Sequence, residues 1–425
     1  MGVTVIAFVI GVVVLVVGLA ISIALHEIGH LVPAKLFGVR VGQYMIGFGP
    51  TLWSRRFGET EYGLKALPIG GYISMAGMYP PSPREAARGG HAGGGLFATM
   101  VQDARTANDE TLEGAPDSRV FYRLAVWKRV VVMLGGPFMN LVLAIVLMTI
   151  VLSGIGLQTA TATVATVSAC VPAAGATDCA PGDPVAPAAT AGIQPGDTIV
   201  SIDGQPVSTF DDVSALIRQA PGRPLPVVLE DDGFQRTVTL TPAIRADGGQ
   251  QIGFAGITPT AEYVRQPLWV GPQAAFENVG AVAGIMVQLP VKVYETGLSL
   301  FTGAERDPNG PLSIVGAGAV AGEFASADAP ILNRLTGILG LLASLNIALF
   351  VFNLIPLLPL DGGHVVIALW DGIKRAWARL FRRPPPRPVD ATRLVPVTFV
   401  VVGLLIVMGA VLILADIVNP ISFFG

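Results

Sequence analysis

The sequence of 425 residues predicts a multi-pass α-helical membrane protein with four transmembrane helices, a membrane-associated β loop and an extracytoplasmic α+β domain. The composition is 52% hydrophobic and only 13% charged, and the mean hydropathy is +0.62, a balance that soluble globular chains do not have. About 20 apolar residues suffice to cross a bilayer. Four uncharged runs reach that length, namely Val3–Leu25, Val130–Leu152, Leu335–Leu360 and Leu394–Ala415.

The first run leads directly into His26-Glu27-Ile28-Gly29-His30. Residues i and i+4 of a helix share one face, so His26 and His30 can direct two imidazoles at one metal ion. Glu27 lies beside them as a candidate general base. Ionisable groups at membrane depth are costly, and they mark a functional site. A cleaved signal peptide is not expected, because no Lys or Arg precedes this long apolar run.

The segment between the first two spans changes character along its length. Residues 41–75 alternate apolar and polar side chains among many glycines, which predicts short strands and turns near the metal motif. Residues 80–114 are rich in Gly, Pro, Ala and charge, which predicts a mobile cytoplasmic loop.

The segment after the second span predicts a linker and then a small domain. Residues 159–183 have low complexity, whereas residues 184–259 show a turn, strand, turn and helix followed by two strands, a pattern that resembles a PDZ domain. PDZ domains bind peptide ends by strand addition, and a steric plug or spacer is the alternative role. Cys170 and Cys179 could form a disulfide in an oxidising compartment or remain unpaired.

The third span ends in a second polar motif, which runs from Asn353 to His364. Pro356 and Pro359 break the helix there, and broken backbone at membrane depth is tolerated only where it lines a cavity or packs inside protein. Asp361 is therefore expected as the third metal ligand, with His364 as the alternative. The apolar stretch 278–291 has only 14 residues and contains Pro290, so it is expected on the membrane surface or against protein.

Loop charges predict the orientation. Residues 26–129 carry twelve Lys and Arg and residues 361–393 carry seven, whereas residues 154–330 carry seven against seventeen Asp and Glu. Positive loops stay inside, so the small domain and both termini are expected outside the cytoplasm. No basic cluster suggests a nucleic-acid partner.

Together these motifs resemble the site-2 protease family of intramembrane zinc metalloproteases, in the bacterial branch that carries an extracytoplasmic PDZ domain. The family's histidine pair and glutamate match His26, Glu27 and His30, and its Asn-x-x-Pro-x-x-x-Leu-Asp-Gly element matches residues 353–362. The resemblance implies Zn²⁺ held by His26, His30 and Asp361, with Glu27 as the catalytic residue.

Three further elements extend the resemblance. Residues 47–50 and 68–72 look like the family's re-entrant β loop, and residues 135–137 with Asn140 look like its second-span signature. The two asparagines could contact substrate or could hydrogen-bond between helices. The candidate substrate-binding residues are Asn353, Asn140, Gly47, Gly49, Gly70 and Gly71.

The resemblance also implies a biological role. Family members carry out regulated intramembrane proteolysis, so we expect a multi-pass protein of the bacterial inner membrane that cuts single-span substrates in the lipid bilayer. The expected substrates are anti-sigma factor stubs, first trimmed by an upstream site-1-type protease. Clearance of signal-peptide remnants is the alternative, and a membrane-anchored PDZ scaffold is the non-enzymatic alternative.

These expectations divide the chain into nine segments. They are a first span with the zinc motif (1–40), the β loop and cytoplasmic loop (41–129), a second span (130–153), a linker (154–183), the PDZ domain (184–260), an extracytoplasmic linker with amphipathic segments (261–334), a third span with the Asp-Gly motif (335–364), a basic cytoplasmic loop (365–393) and a fourth span with the C-terminus (394–425).

Overall fold

The computed structural model places most of the chain. The described residues are 2–78, 80, 101, 106, 108–112, 117–171, 179–180, 182–231, 233–247, 250–304, 306–307, 310–384, 386–389 and 391–421. Most of the loop predicted over residues 80–114 lies outside them. The chain divides into two compact units, one of residues 1–153 with 267–425 and one of residues 154–266.

Helices and strands are numbered here in chain order. The helices are α1 (Gly2–Leu36), α2 (Val126–Thr149), α3 (Pro187–Thr190), α4 (Phe210–Arg218), α5 (Val270–Thr302), α6 (Ile314–Ser326), α7 (Ile331–Asn353), α8 (Asp361–Leu380) and α9 (Val395–Val418). The strands are β1 (Val41–Phe57), β2 (Thr60–Met75), β3 (Leu157–Val167), β4 (Thr198–Ile202), β5 (Gln205–Pro206), β6 (Leu225–Asp231), β7 (Phe234–Leu240), β8 (Ala243–Asp247), β9 (Gln250–Phe254) and β10 (Ile257–Val264).

Five helices in the described part of the chain are long and apolar enough to cross a membrane, where the sequence predicted four. They are α1, α2, α5, α7 and α9. The difference is α5, because residues 278–291 belong to a helix of 33 residues and not to a short apolar segment. Glu277 and Lys292 interrupt the uncharged run, but they do not interrupt the helix.

The prediction of a basic loop over residues 365–393 is also corrected. Helix α8 covers residues 361–380. The helical conformation is interrupted between α7 and α8 at residues 354–360, where the prolines lie. Trp370, Ile373 and Trp377 recur at helical spacing among the charges, which is the pattern of an amphipathic helix.

Close glycine contacts pack α1 against α2. A Cβ atom added at Gly29 would lie 2.2 Å from the carbonyl oxygen of Gly135, and one added at Gly135 would lie 1.9 Å from that of Gly29. Small residues let membrane helices approach in this way.

Helix α7 also packs along α1, and Asn346 Nδ2 of α7 donates to Ser22 Oγ of α1 at 2.9 Å. Leu342 contacts Gly18 one turn earlier, so α1 and α7 run parallel.

Strands β1 and β2 fold into a four-segment sheet beside α1. Residues 43–46 pair on one side with residues 61–64, and residues 41–46 pair on the other side with residues 71–75. Residues 51–57 pair with residues 60–65. Residues 71–75 therefore form an edge segment whose outer side pairs with no described strand. The hydroxyl of Tyr44 donates to the carbonyl of Ala24 in α1 at 2.9 Å and fixes the sheet to the helix that carries the metal motif.

The second unit is an α+β domain around one apolar core. Its main sheet has the order β10-β3-β4-β6-β7, with β5 paired to β4, and β8 and β9 form a separate hairpin. Its core side chains include Ile199, Ile202, Val213, Val227 and Leu229. The predicted order of turn, strand, helix and strand is present, and Cys170 and Cys179 are joined by a disulfide with their Cα atoms 5.9 Å apart.

The predicted linker over residues 154–183 is corrected in its first part. Strand β3 occupies residues 157–167 and lies inside the main sheet, with Ala162 and Val164 buried. Its Thr, Ala and Val residues read as low complexity, but threonine and valine are β-branched and favour strands. The unit therefore begins near residue 154 and not at residue 184.

Candidate active site

Three side chains from two separated helices meet at one point. His26 and His30 of α1 face each other with their Nε2 atoms 3.2 Å apart. Asp361, the first residue of α8, places Oδ2 3.4 Å from Nε2 of His26 and 3.3 Å from Nε2 of His30. The two sequence motifs thus form one cluster.

The shape of this cluster fits a tetrahedral metal ion. Zinc lies about 2.0–2.1 Å from its nitrogen and oxygen ligands, which sets neighbouring ligand atoms of a tetrahedron about 3.3 Å apart. The three observed separations, from 3.2 to 3.4 Å, match that edge length. Asp361 Oδ2 is buried and accepts no hydrogen bond from the described residues, so a cation would satisfy it.

Each imidazole is held from behind by α2. Nδ1 of His30 lies 2.8 Å from the carbonyl oxygen of Val132 and donates to it, which leaves Nε2 of His30 unprotonated toward the cluster. Nδ1 of His26 lies 3.1 Å from the Nδ2 atom of the Asn140 side-chain amide. The oxygen and nitrogen of an amide are interchangeable in placement, and Asn140 Oδ1 has no hydrogen-bond partner among the described residues. With Oδ1 turned to His26, Asn140 accepts the Nδ1 proton and frees Nε2 for metal.

Gly136 completes the contact between α2 and the histidines. A Cβ atom at this position would lie 2.2 Å from His30 Nε2 and 2.8 Å from His26 Cε1. In the sequence this glycine belongs to the segment that resembles a family signature, and no separate role was predicted for it. Its role follows from the helix crossing, which a single sequence does not reveal.

A cavity of about 310 Å³ opens beside the cluster. Glu27 lines it with only 8% of its surface exposed, and Asn353 lines it from the end of α7. His364 also lines the cavity, but the described cluster of potential metal ligands comprises His26, His30 and Asp361.

The candidate substrate-binding residues fall into two groups. Gly71 and Asn353 line the cavity, and a Cβ atom at Gly71 would lie 3.0 Å from Glu27 Cγ. Gly47, Gly49 and Gly70 have positive φ values of 93°, 86° and 95°, so they provide the turns of the β sheet. Asn140 lies behind His26, on the side of the imidazole that faces away from Asp361.

Two buried polar contacts between the helices that bear the cluster and their neighbours were missed from the sequence. Ser22 and Asn346 join α1 to α7, and Arg129 of α2 pairs with Asp371 of α8. The available signal was a polar residue inside or at the end of an apolar run, which membrane helices retain only where it has a partner.

Comparison with known proteins also points to a metalloprotease. Residues 14–382 match the model of peptidase family M50. The zinc metalloprotease Rip1 of Mycobacterium tuberculosis is 33% identical, over 98% of this chain and 99% of its own length. A putative zinc metalloprotease of Clostridium acetobutylicum is 29% identical over 97% and 98%, and the metalloprotease MmpA of Caulobacter vibrioides is 26% identical over 84% and 85%.

Proposed function

This chain belongs to peptidase family M50 and is a zinc metalloprotease of the membrane, and we propose that His26, His30 and Asp361 hold its zinc ion while Glu27 moves the protons of peptide hydrolysis. The observation that carries the assignment is the triangle of two imidazole nitrogens and one carboxylate oxygen with edges of 3.2–3.4 Å. Its members come from both ends of the family match, residues 26–30 and residue 361.

The chemistry divides between the metal and Glu27. Zinc held by these ligands supplies Lewis-acid activation of water and of the scissile carbonyl. The Glu27 carboxylate accepts the proton of the attacking water and then donates it to the nitrogen of the leaving amine. Glu27 follows His26 in α1 and lines the cavity beside the cluster, where the peptide bond would bind.

The β sheet provides a surface for an extended substrate. A transmembrane helix hides its peptide bonds in its own hydrogen bonds, so cleavage requires local unwinding. The edge segment 71–75 borders the cavity through Gly71, Tyr72, Ile73 and Met75, and its unpaired side offers backbone groups for strand addition. Asn353 stands at the same cavity to hydrogen-bond the unwound chain.

A protease that works in the bilayer is expected to cut membrane-spanning substrates. We assign it single-span membrane proteins from which an upstream site-1-type protease has removed the outer domain, with anti-sigma factor stubs as the first class. Clearance of signal-peptide remnants is the second class. Membership in a peptidase family argues against the non-enzymatic scaffold as the alternative function. The charge pattern supports an inner-membrane protein with the α+β domain and the N-terminus outside the cytoplasm.

The outer α+β domain serves as a screen or a peptide receptor. Its strand and helix order supports a PDZ-type fold, and such folds bind chain ends by strand addition. If the domain is a peptide receptor, a new carboxyl end on the trimmed substrate should raise the cleavage rate. If it is a steric screen, a large outer domain on the substrate should lower the cleavage rate, and the carboxyl end should have no effect.

The test uses the purified full chain in detergent. Its substrates are a tagged anti-sigma factor as a pre-trimmed stub, the same protein with its outer domain intact, and a signal-peptide remnant. We expect the stub to be cut inside its apolar segment, with the cut mapped by mass spectrometry, and the intact protein to be spared. Cleavage confined to the remnant would replace the first substrate class by the second, and cleavage only in soluble segments would contradict both.

A further inference from the structure

One stripe of α2 touches every helix that bears a proposed zinc ligand. Arg129, Val132, Gly136 and Asn140 follow one another at spacings of three and four residues, so they lie on one helix face. Three of them contact the histidines of α1, as described above. The fourth, Arg129, contacts α8, the helix that begins with Asp361.

Arg129 and Asp371 form a buried ion pair. Arg129 Nη1 donates to Asp371 Oδ2 at 3.0 Å, and only 5% and 2% of the two side chains are exposed. The other Asp371 oxygen, Oδ1, accepts from the backbone N–H of Val389 at 3.0 Å and lies 3.2 Å from Lys374 Nζ. Arg129 Nε and Nη2 have no hydrogen-bond partner among the described residues, so Asp371 is the group that compensates the positive charge of the guanidinium.

Helix α8 needs an external anchor because its N-terminal side is broken. Residues 354–360 separate it from α7 and carry both prolines, so α7 does not set its direction. Asp371 lies ten residues after Asp361, which is about 15 Å along a rigid helix at about 1.5 Å per residue. Gly372 supports the same contact, because a Cβ atom there would lie 3.2 Å from Val126 Cγ1 of α2.

We propose that Arg129 is a positioning residue for the third zinc ligand: through Asp371 it fixes α8 on the α2 stripe, so that Asp361 stands opposite His26 and His30. The proposal rests on the ligand set proposed above. One helix face then sets the relative positions of all three ligands, His30 through Val132, His26 through Asn140 and Asp361 through Arg129.

A role in stability alone does not explain the pair. Taking two charges out of water costs about as much as their attraction returns, and apolar side chains of similar volume often do as well or better. An ion pair does fix register, because its partners attract at one alignment of the two helices and leave a buried charge unpaired at others. The pair is a buried ionic contact between α2 and α8, beside the Val126–Gly372 contact.

The test compares two buried ion pairs of the same protein. Asp371→Asn and Arg129→Met break the Arg129–Asp371 pair. Asp416→Asn breaks the buried Arg306–Asp416 pair and serves as the control, because Asp416 belongs to α9, which bears no proposed ligand. Asp361→Ala removes a proposed ligand, and Arg129→Lys restores a positive charge. For each full-length protein in detergent, the Zn²⁺ dissociation constant is measured against a chromophoric chelator, together with the melting temperature and the visible absorption spectrum after Co²⁺ loading.

We expect Asp371→Asn and Arg129→Met to raise the Zn²⁺ dissociation constant about tenfold or more and to alter the Co²⁺ spectrum, as loss of a group that orients a ligand does. Asp416→Asn lowers the melting temperature with the metal constant unchanged, and Arg129→Lys recovers most of the affinity lost in Arg129→Met. A metal constant within twofold of wild type in Asp371→Asn, or an equal loss in Asp416→Asn, would overturn the proposal. An unchanged constant in Asp361→Ala would instead overturn the ligand set.

Discussion

Gly136 lies so close to His30 that a Cβ atom added to the glycine would stand 2.2 Å from Nε2 of the imidazole. Nε2 is also the atom that faces His26 and Asp361. The backbone of α2 at Gly136 therefore forms one wall of the proposed metal site, and there is space for the two imidazoles because Gly136 carries no side chain.

Gly136→Ala is expected to lose zinc. The added methyl group overlaps His30, and the ring can escape only by giving up its hydrogen bond to Val132 or its place beside Asp361. The measurement is bound zinc per protein after purification. Gly340→Ala in α7 is the matched control, because no atom lies within 4 Å of the added Cβ there. Full zinc content in Gly136→Ala would show that the two helices do not pack as described.

Asn140 is expected to act on zinc affinity through His26. Asn140→Ala removes the acceptor for the Nδ1 proton and should weaken zinc binding about 10- to 100-fold. Asn140→Asp keeps an acceptor at the same position and should retain most of the affinity. Competition with a chelator distinguishes the two variants. If Asn140→Ala binds zinc normally but raises KM, the side chain contacts substrate and does not orient His26.

Gly71→Ala is expected to impair cleavage without loss of zinc. The added Cβ would lie 3.0 Å from both Glu27 Cγ and the carbonyl oxygen of Met45, so the edge segment or the Glu27 side chain must shift. Stub cleavage and zinc content are measured on the same preparation. Gly42→Ala in the same sheet serves as the control, since its nearest contact would be 3.8 Å away. Unchanged cleavage in Gly71→Ala would separate the edge segment from the chemistry.

The Ser22–Asn346 hydrogen bond is expected to contribute modestly to stability. Hydrogen bonds between membrane helices contribute about 0.6 kcal/mol on average and up to about 1.7 kcal/mol. Ser22→Ala, Asn346→Ala and the double variant form a cycle whose coupling energy should fall in that range. Unfolding in mixed micelles gives the free energies. A coupling energy near zero would mean that the bond at 2.9 Å does not tie α1 to α7 in solution.

The proposed ligand set could be predicted from the sequence because each half is local. The spacing of His26 and His30 puts both on one helix face, and Asp361 follows a proline-broken helix end. The groups behind them could not be read in the same way. Asn140, Gly136 and Arg129 acquire their contacts from the crossing of α2 with α1 and α8, which depends on contacts more than 100 residues apart in sequence.

The fold was predictable to a similar extent. Uncharged runs identified α1, α2, α7 and α9, because a membrane span leaves a strong local pattern. Helix α5 was underestimated, because a window that stops at the first charge cannot follow a helix through Glu277 and Lys292. Strand β3 was taken for a linker, because its small alternating residues become a strand only once β10 and β4 flank them.

The most direct test of the central claim is zinc content and stub cleavage measured together on wild-type and Glu27→Gln protein in detergent. The account predicts about one zinc ion in both proteins and cleavage by the wild type alone, because Glu27 moves protons and holds no metal. Cleavage by Glu27→Gln at the wild-type rate would contradict the role of Glu27. Absence of zinc from the wild type would contradict the ligand triangle of His26, His30 and Asp361.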